Sequence, residues 1–484
     1  MRLVTGPADL GPVRPHTVLA DADGTPYASL RQRPVARAER YALGKALRKR
    51  VPRSSLGEWK APSDRPDPVQ QIMDSHEGRV GRLVPIRVGR MAASPYGFLR
   101  GTAVVMAEDV AHLPATGITP VVCGDAHLGN FGFYASPERD LVMDLNDFDE
   151  AHPGSWEWDL RRLVASIWVA GRQNGAREDD CENAVRSCVT AYRDELRYLA
   201  DQPLMSRSYE RLDVDRLVQE SSGPLRSEVE RAAKRARQRT SDRALPRFTQ
   251  EIAGRRRIVE EPPLITRVPE GEAEVLAAAI DDYLQTLAPH WRRVLGGYTL
   301  VDIANKVVGV GSVGLRAYVA LLEGSSPEDV VFLQLKQARR SVLARYVHGE
   351  SAWHAHQGQR VVEYQQALQT VSDPLLGWTT APGQHDDVHQ YYVRQFRNMK
   401  GTVAIDAIDP SALADYAGVI GHLLAKGHAR TSGASMIAGY VGRGHNLDDA
   451  MCRFAQAYAD QTEADHAALV AAVARGALPI ERGI

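Results

Sequence analysis

The sequence predicts an α+β fold: helices arranged around two separate β-regions. Three observations carry this. Residues 121–147 contain short apolar runs, "VVCGD" and "LVMDLND", that stop at turn residues, as strands do. From about residue 295, "YTLVDIANKVVGVGSVGLRAYVALLEG" and "DVVFLQLKQA" read as β-structure around a glycine loop. Elsewhere apolar residues recur at helical spacing, as in Leu160, Leu163, Val164 and Ile167.

A chain of 484 residues exceeds one ordinary core and implies roughly two or three packed units. Hydrophobic residues make up 44% and charged residues 25%, as in soluble globular proteins. A net charge of −1 supplies no global field toward nucleic acid or an anionic membrane. Cys123, Cys181, Cys188 and Cys452 form no CxxC pair and no zinc-spaced cluster, so reduced thiols are expected. The opening residues lack the apolar core of a signal peptide, and no apolar run approaches the ~20 residues of a membrane span. The expected location is cytoplasmic.

The elements follow in order. Residues 1–65, rich in Pro, Arg and Gly, read as a basic, partly ordered arm. Residues 66–290 read as a mainly helical region carrying the acid-rich loops. It opens at Asp67, an N-cap before Pro68 at the first helical position. Within it, "SPYGFLRGTAVVMAEDVAHL" reads as a loop and then a helix, and residues 205–262 as a charged helical insert. Residues 291–402 read as the smaller β-unit with the glycine loop. Residues 403–484 read as closing helices.

The chemistry concentrates in "VVCGDAHLGNFGFYASPERDLVMDLNDFDE", residues 121–150. Asp125 and Asn130 form D-x-x-x-x-N, and Asp147-Phe148-Asp149 ends the next strand. One aspartate can orient or deprotonate an acceptor hydroxyl. An Asn and a second Asp offer hard oxygens to magnesium, which bridges nucleotide phosphates. Each such carboxylate alone would serve equally as a cap or a solvated turn residue.

This stretch resembles the catalytic segment of the protein-kinase-like superfamily, aminoglycoside and choline phosphotransferases above all, whose H-G-D-x-x-x-x-N is matched by "CGDAHLGN" with Cys123 in the histidine's place. The resemblance implies Asp125 as catalytic base, Asn130 and Asp147 as metal ligands, and Asp159 as a structural residue. Asp144 and Asp149 compete for a second metal position.

Such enzymes also need a phosphate clamp. Gly309-x-Gly311-x-x-Gly314, with Ser312 inside it, can bring backbone N–H groups close to phosphate oxygens. The resemblance implies Lys336 on the following strand as the phosphate-binding lysine, Glu363 on the next helix as its partner, and a nucleotide-binding hinge near Gln395 and Phe396. The glycine loop follows the catalytic stretch by about 180 residues. The implied fold is therefore a two-lobed, kinase-like fold in circularly permuted order. The same glycines could open a Rossmann unit with "VGLRAYVALLEG" as its helix, but "FLQLKQ" then lacks the acid that such a site wants.

Over residues 60–435 the chain also resembles a large bacterial family, domain of unknown function 2252, through "RVGRMAASPYGFLRGTA", "NDFDEAHPGSWEWDLRRL" and "HQGQRVVEYQQALQ". The expectation is an ATP- and magnesium-dependent phosphotransferase acting on a hydroxyl of a small molecule or, second, a protein. The alternatives are transfer of AMP, a non-catalytic nucleotide-binding regulator and, more distantly, an NAD-dependent Rossmann oxidoreductase. Arg87, Arg90 and Arg100 could steady a phosphate or anionic acceptor, His127 could touch either, and Arg360 could pair with an acid of the site. Cys123 reads as a small packed residue. His354, His356, His422 and His428 lack metal geometry. The basic run 226–257 reads as a solvated face without the aromatic interleaving of a nucleic-acid site.

Overall fold

The computed structural model describes residues 35–221, 223–347, 354–383, 387–431 and 433–483. Residues 1–34 of the expected arm lie outside it. The rest of that arm is packed rather than loose. The helix Arg37–Leu47 lies against the helix Ala434–Val441, where Arg48 Nε donates to the Tyr440 carbonyl at 2.7 Å. Leu56 is fully buried.

The acid-rich stretch forms strands where the apolar runs predict them. β1 (Val121–Val122), β2 (Phe131–Ala135), β3 (Leu141–Leu145) and β4 (His152–Pro153) build two small antiparallel units. β1 pairs with β4, β2 with β3, and β3 also with β5 (Leu212–Asp213). The turns that leave β1 and β3 carry Asp125 and Asp147.

The charged insert is only partly helical. Helices Gly223–Arg237 and Ser241–Phe248 lead into a hairpin, β6 (Thr249–Ile252) and β7 (Arg255–Ile258), in a run expected to be helix. The reason is alternation: Ile258 turns inward while Arg257 pairs with Asp302 at 2.7 Å.

β8 (Ile265–Arg267), β9 (Thr299–Lys306), β10 (Ala317–Glu323), β11 (Val330–Gln337), β12 (Gly377–Pro382) and β13 (Val388–Gln395) form a six-stranded sheet ordered β12-β13-β11-β10-β9-β8. Every pairing in it is antiparallel. The segment a Rossmann unit would need as helix is β10. The sheet is apolar on both sides because both are covered. Tyr318, Ala320 and Leu333 pack with Leu276, Ile280 and Tyr283 of the helix Glu270–Leu284. Val319, Leu321 and Phe332 face Ile258 and Phe248 of the insert. Each such buried large side chain stabilises by about 1.5–3 kcal/mol relative to exposure.

The largest core joins β1, β2 and β3 to the helices Trp156–Gln173, Glu178–Asp201, Pro410–Thr431 and Asn446–Ala474. "SPYGFLRG", expected as loop, is the helix Pro95–Gly101, capped by Ser94 Oγ accepting from the Gly97 N–H at 3.1 Å. Among the described residues no helix is long and apolar enough to cross a membrane.

Candidate active site

The β9–β10 glycine hairpin and the acid-bearing turns meet. Lys336 Nζ, near the end of β11, lies 2.9 Å from Asp149 Oδ2 and 3.5 Å from Asp147 Oδ1, across 187 and 189 positions of sequence. Ser312 Oγ of the hairpin donates to Asp149 Oδ2 at 2.9 Å, and Tyr392 OH donates to Asp149 Oδ1 at 2.8 Å. Tyr392 arrives there because β13 pairs with β11 in a register that sets it opposite Lys336. These donors and the Lys336 charge outweigh burial and hold the Asp149 carboxyl well below its usual range; the same acids raise Lys336.

Asn130, 3% exposed, ties the two turns together. Its Oδ1 accepts from the Asp147 N–H at 2.7 Å, and its Nδ2 donates to the Asp125 and Asp147 carbonyls at 3.0 Å each. Asp159 is structural: its carboxylate accepts from the N–H groups of Cys123 and Gly124 at 2.6 and 2.8 Å. Gly124 has φ +78°, and a Cβ there would strike the Glu150 carbonyl. Cys123 is fully buried, a packed residue.

Asp125 is oriented from one side. Its Oδ1 receives Arg162 at 2.6–2.7 Å, while Oδ2 stands 4.0 Å from His127 Nε2. Burial lifts its carboxyl to about 6 despite that cation. His127 Nδ1 accepts from the Gly129 N–H at 3.1 Å, which leaves the proton of the neutral ring on Nε2. Burial holds the ring neutral.

Asp125, His127, Asp147 and Asp149 line a cavity of about 360 Å³ with the glycine loop from Gly309 to Ser312. Arginines form much of its remaining wall. Arg79 holds the hairpin, donating to the carbonyls of Gly311 and Val313 at 2.9 and 2.6 Å, and Arg90 donates to the Gly309 carbonyl. Gly314, at φ +89°, accepts at its carbonyl from the Val80 N–H at 2.8 Å.

Three expected site residues are engaged elsewhere. Glu363 does not partner Lys336; it bonds His354 Nε2 and Gln359 Nε2 at 2.8 Å each. The reason is Arg360, one turn earlier and 1% exposed, which fills the space toward the acid loop and donates to the Asp149 and Arg339 carbonyls at 2.8 and 2.9 Å. Arg360→Met would strand those carbonyls and is expected to cost about 3 kcal/mol in denaturant unfolding. Glu363→Gln is expected to change stability by under about 1 kcal/mol. Gln395 and Phe396 lie outside the cavity lining. The Gln395 N–H donates to Asp373 Oδ2 at 2.6 Å, and the Phe396 ring packs 5.5 Å from Phe248. Asp144 is withdrawn too, 2% exposed and paired with Lys426, so of its two rivals Asp149 is the one at the cavity.

Glu150, Arg162, Tyr392 and Arg79 carry the site without having been singled out in the sequence. Arg162 did leave a trace: with Arg161 it interrupts an apolar helix face. Tyr392 could be found only from strand register. Arg79 gave no local signal. Glu150 lines the cavity, accepts from the Val342 N–H at 2.7 Å, and is pushed by burial up to about 7. A carboxyl raised by folding gives stability that is fully present below its unfolded value near 4.5 and is lost as pH climbs through about 7. Glu150→Gln is therefore expected to gain about 3 kcal/mol of stability over wild type at pH 8 and little at pH 4, read by urea unfolding.

Among the described residues no three His, Cys, Asp or Glu side chains converge into a ready metal cage. The donor set does fit a magnesium ion carried in by phosphates, which needs only one or two carboxylates. Asp147, 48% exposed at its side chain and held only by the 3.5 Å contact of its Oδ1 with Lys336, is the more open one, and Asn130 Oδ1 keeps a second lone pair.

Residues 79–472 match the model of a family described as an uncharacterized protein conserved in bacteria, DUF2252. No curated protein matches the chain. No solved structure matches it. With most of its length covered by that match, the chain belongs to the DUF2252 family.

Proposed function

We propose that this protein is an ATP- and magnesium-dependent phosphotransferase acting on a hydroxyl group, with a kinase-like two-lobed fold in permuted order. The observation that carries the proposal is the junction at Asp149. A strand lysine and a glycine-hairpin serine, from a segment much later in the chain, bond the carboxylate that follows the metal-ligand candidate. Two further features support it. The order β12-β13-β11-β10-β9 sets the glycine hairpin beside the lysine strand, as a kinase-like small lobe requires. The acids sit on turns between β1 and β4, opposite that hairpin.

In this reading Asp125 Oδ2 takes the proton of the acceptor hydroxyl while Arg162 fixes the carboxylate. Asp147, with Asn130, would hold the magnesium, which supplies charge neutralisation between the phosphates. Gly309, Gly311 and Ser312 cover the phosphates from above. Lys336 turns from the acids to phosphate oxygens when nucleotide enters, and Asp149 orients it.

Calorimetry of ATP binding tests the proposal on wild type, Lys336→Ala and Asp147→Ala. Magnesium-dependent binding that falls at least tenfold in both variants is the expected result. Wild-type protein that binds no ATP would sink it. Once turnover is found, product mass separates phosphoryl from AMP transfer.

A further inference from the structure

Four arginines on the cavity wall have no carboxylate within ion-pair distance among the described residues. Arg79 donates only to carbonyls. Arg87, 2% exposed, donates to Ser75 Oγ at 3.0 Å and the Gly101 carbonyl at 2.9 Å, and its buried Nε has no partner. Arg100 likewise has a buried Nε without a partner, and its guanidinium stands 5.9 Å from the Tyr96 ring. Arg339 is exposed at the cavity rim just past the end of β11.

These cations work against one another. Arg79 and Arg339 both act on Arg87 and, with burial, depress its basicity; Arg339 does the same to Arg79. Uncompensated like charges around one cavity are costly unless an anion enters among them. The acids of the opposite wall offset this only in part: Asp149 and Glu150 act favourably on Arg79 from beyond ion-pair distance, while Asp149 is already engaged by Lys336, Ser312 and Tyr392, and Asp125 by Arg162.

Position decides which substrate the anion belongs to. Arg100 acts electrostatically on Asp125 and His127, at the end where the acceptor hydroxyl would lie. Its own helix end backs onto the glycine loop at Gly311, so it stands between hairpin and base.

We propose that the arginine wall anchors the acceptor, which is therefore an anionic hydroxyl compound bearing a phosphate or carboxylate, gripped by Arg100 and Arg339 while its hydroxyl faces Asp125. This rests on the phosphotransferase reading and gives that reading a substrate class. Guanidinium forks suit both oxyanions and bind them in pairs of hydrogen bonds.

The test is titration of inorganic phosphate into the full chain, first saturated with magnesium and a non-hydrolysable ATP analogue. The expected result is one phosphate per chain, weakened at least tenfold by Arg100→Gln and by Arg339→Gln, with analogue affinity held within twofold. Arg339 is exposed, so its variant retains the fold if Arg100→Gln does not. Phosphate that binds only without nucleotide would overturn the proposal by assigning the arginines to the ATP phosphates, and so would phosphate binding unchanged in both variants. If the analogue does not bind at all, the phosphotransferase reading has failed. Phosphate binding to the free protein that is lost in both variants would then uphold the anion anchor by itself, and no binding would end it.

Discussion

Asp125→Asn is expected to lower transfer by a factor of about 10²–10⁴, the usual contribution of a positioned general base, while magnesium–ATP binding stays near wild type. Asparagine keeps the shape and can still accept from Arg162, so the loss isolates the proton-accepting oxygen. The wild-type kcat/KM should rise through about pH 6, where burial has set the Asp125 carboxyl, and level off above it. That limb should vanish in the variant. A variant with the wild-type rate and the same limb would remove Asp125 from the chemistry. Arg162 occupies Oδ1, whereas Oδ2 stands 4.0 Å from His127 Nε2 and keeps its capacity to accept a proton.

The largest expected stability effect lies behind the site, at Asp144 and Lys426. Both side chains are nearly fully enclosed, at 3% and 1% exposure. Lys426 Nζ also donates to Thr370 Oγ1 at 3.1 Å, and the Leu145 N–H donates to Asp144 Oδ1 at 3.0 Å. Removing one charge leaves the other buried and unpaired. Asp144→Ala is therefore expected to cost about 3–5 kcal/mol. Asp144→Asn with Lys426→Met removes both charges and should recover much of that loss. Denaturant unfolding of Asp144→Asn, Lys426→Met and the double variant decides it, and additive losses would refute the coupling. A metal role for Asp144 would instead predict a binding defect with stability intact.

The two β-regions and the acid-rich turns were legible because short apolar runs and turn residues are local signals. So were Asp125, Asp147 and the glycine loop, whose spacing is local too. What the sequence hid depends on distant pairing. Glu363 looked like the partner of Lys336 because a kinase-like helix carries one there; which helix residue faces the acid loop is set by packing, and Arg360 fills that place. Phe396 looked like a hinge, yet its ring is drawn to Phe248 of an insert whose hairpin the arginine-rich sequence disguised as helix. Arg79 needed the whole fold to come near Gly311, 232 positions away.

That last distance bears on how the molecule is made. The cavity wall is assembled from residues near 71–104, 125–150 and 309–345. Loop closure over such separations costs entropy before any contact repays it, so folding should be slow relative to helical bundles of local contacts. During synthesis the acid turns emerge long before the hairpin that covers them and the β11 lysine that pairs with them. The arginines and aspartates of the wall therefore stay hydrated until the β-unit is complete, and the cavity forms as a late event of folding.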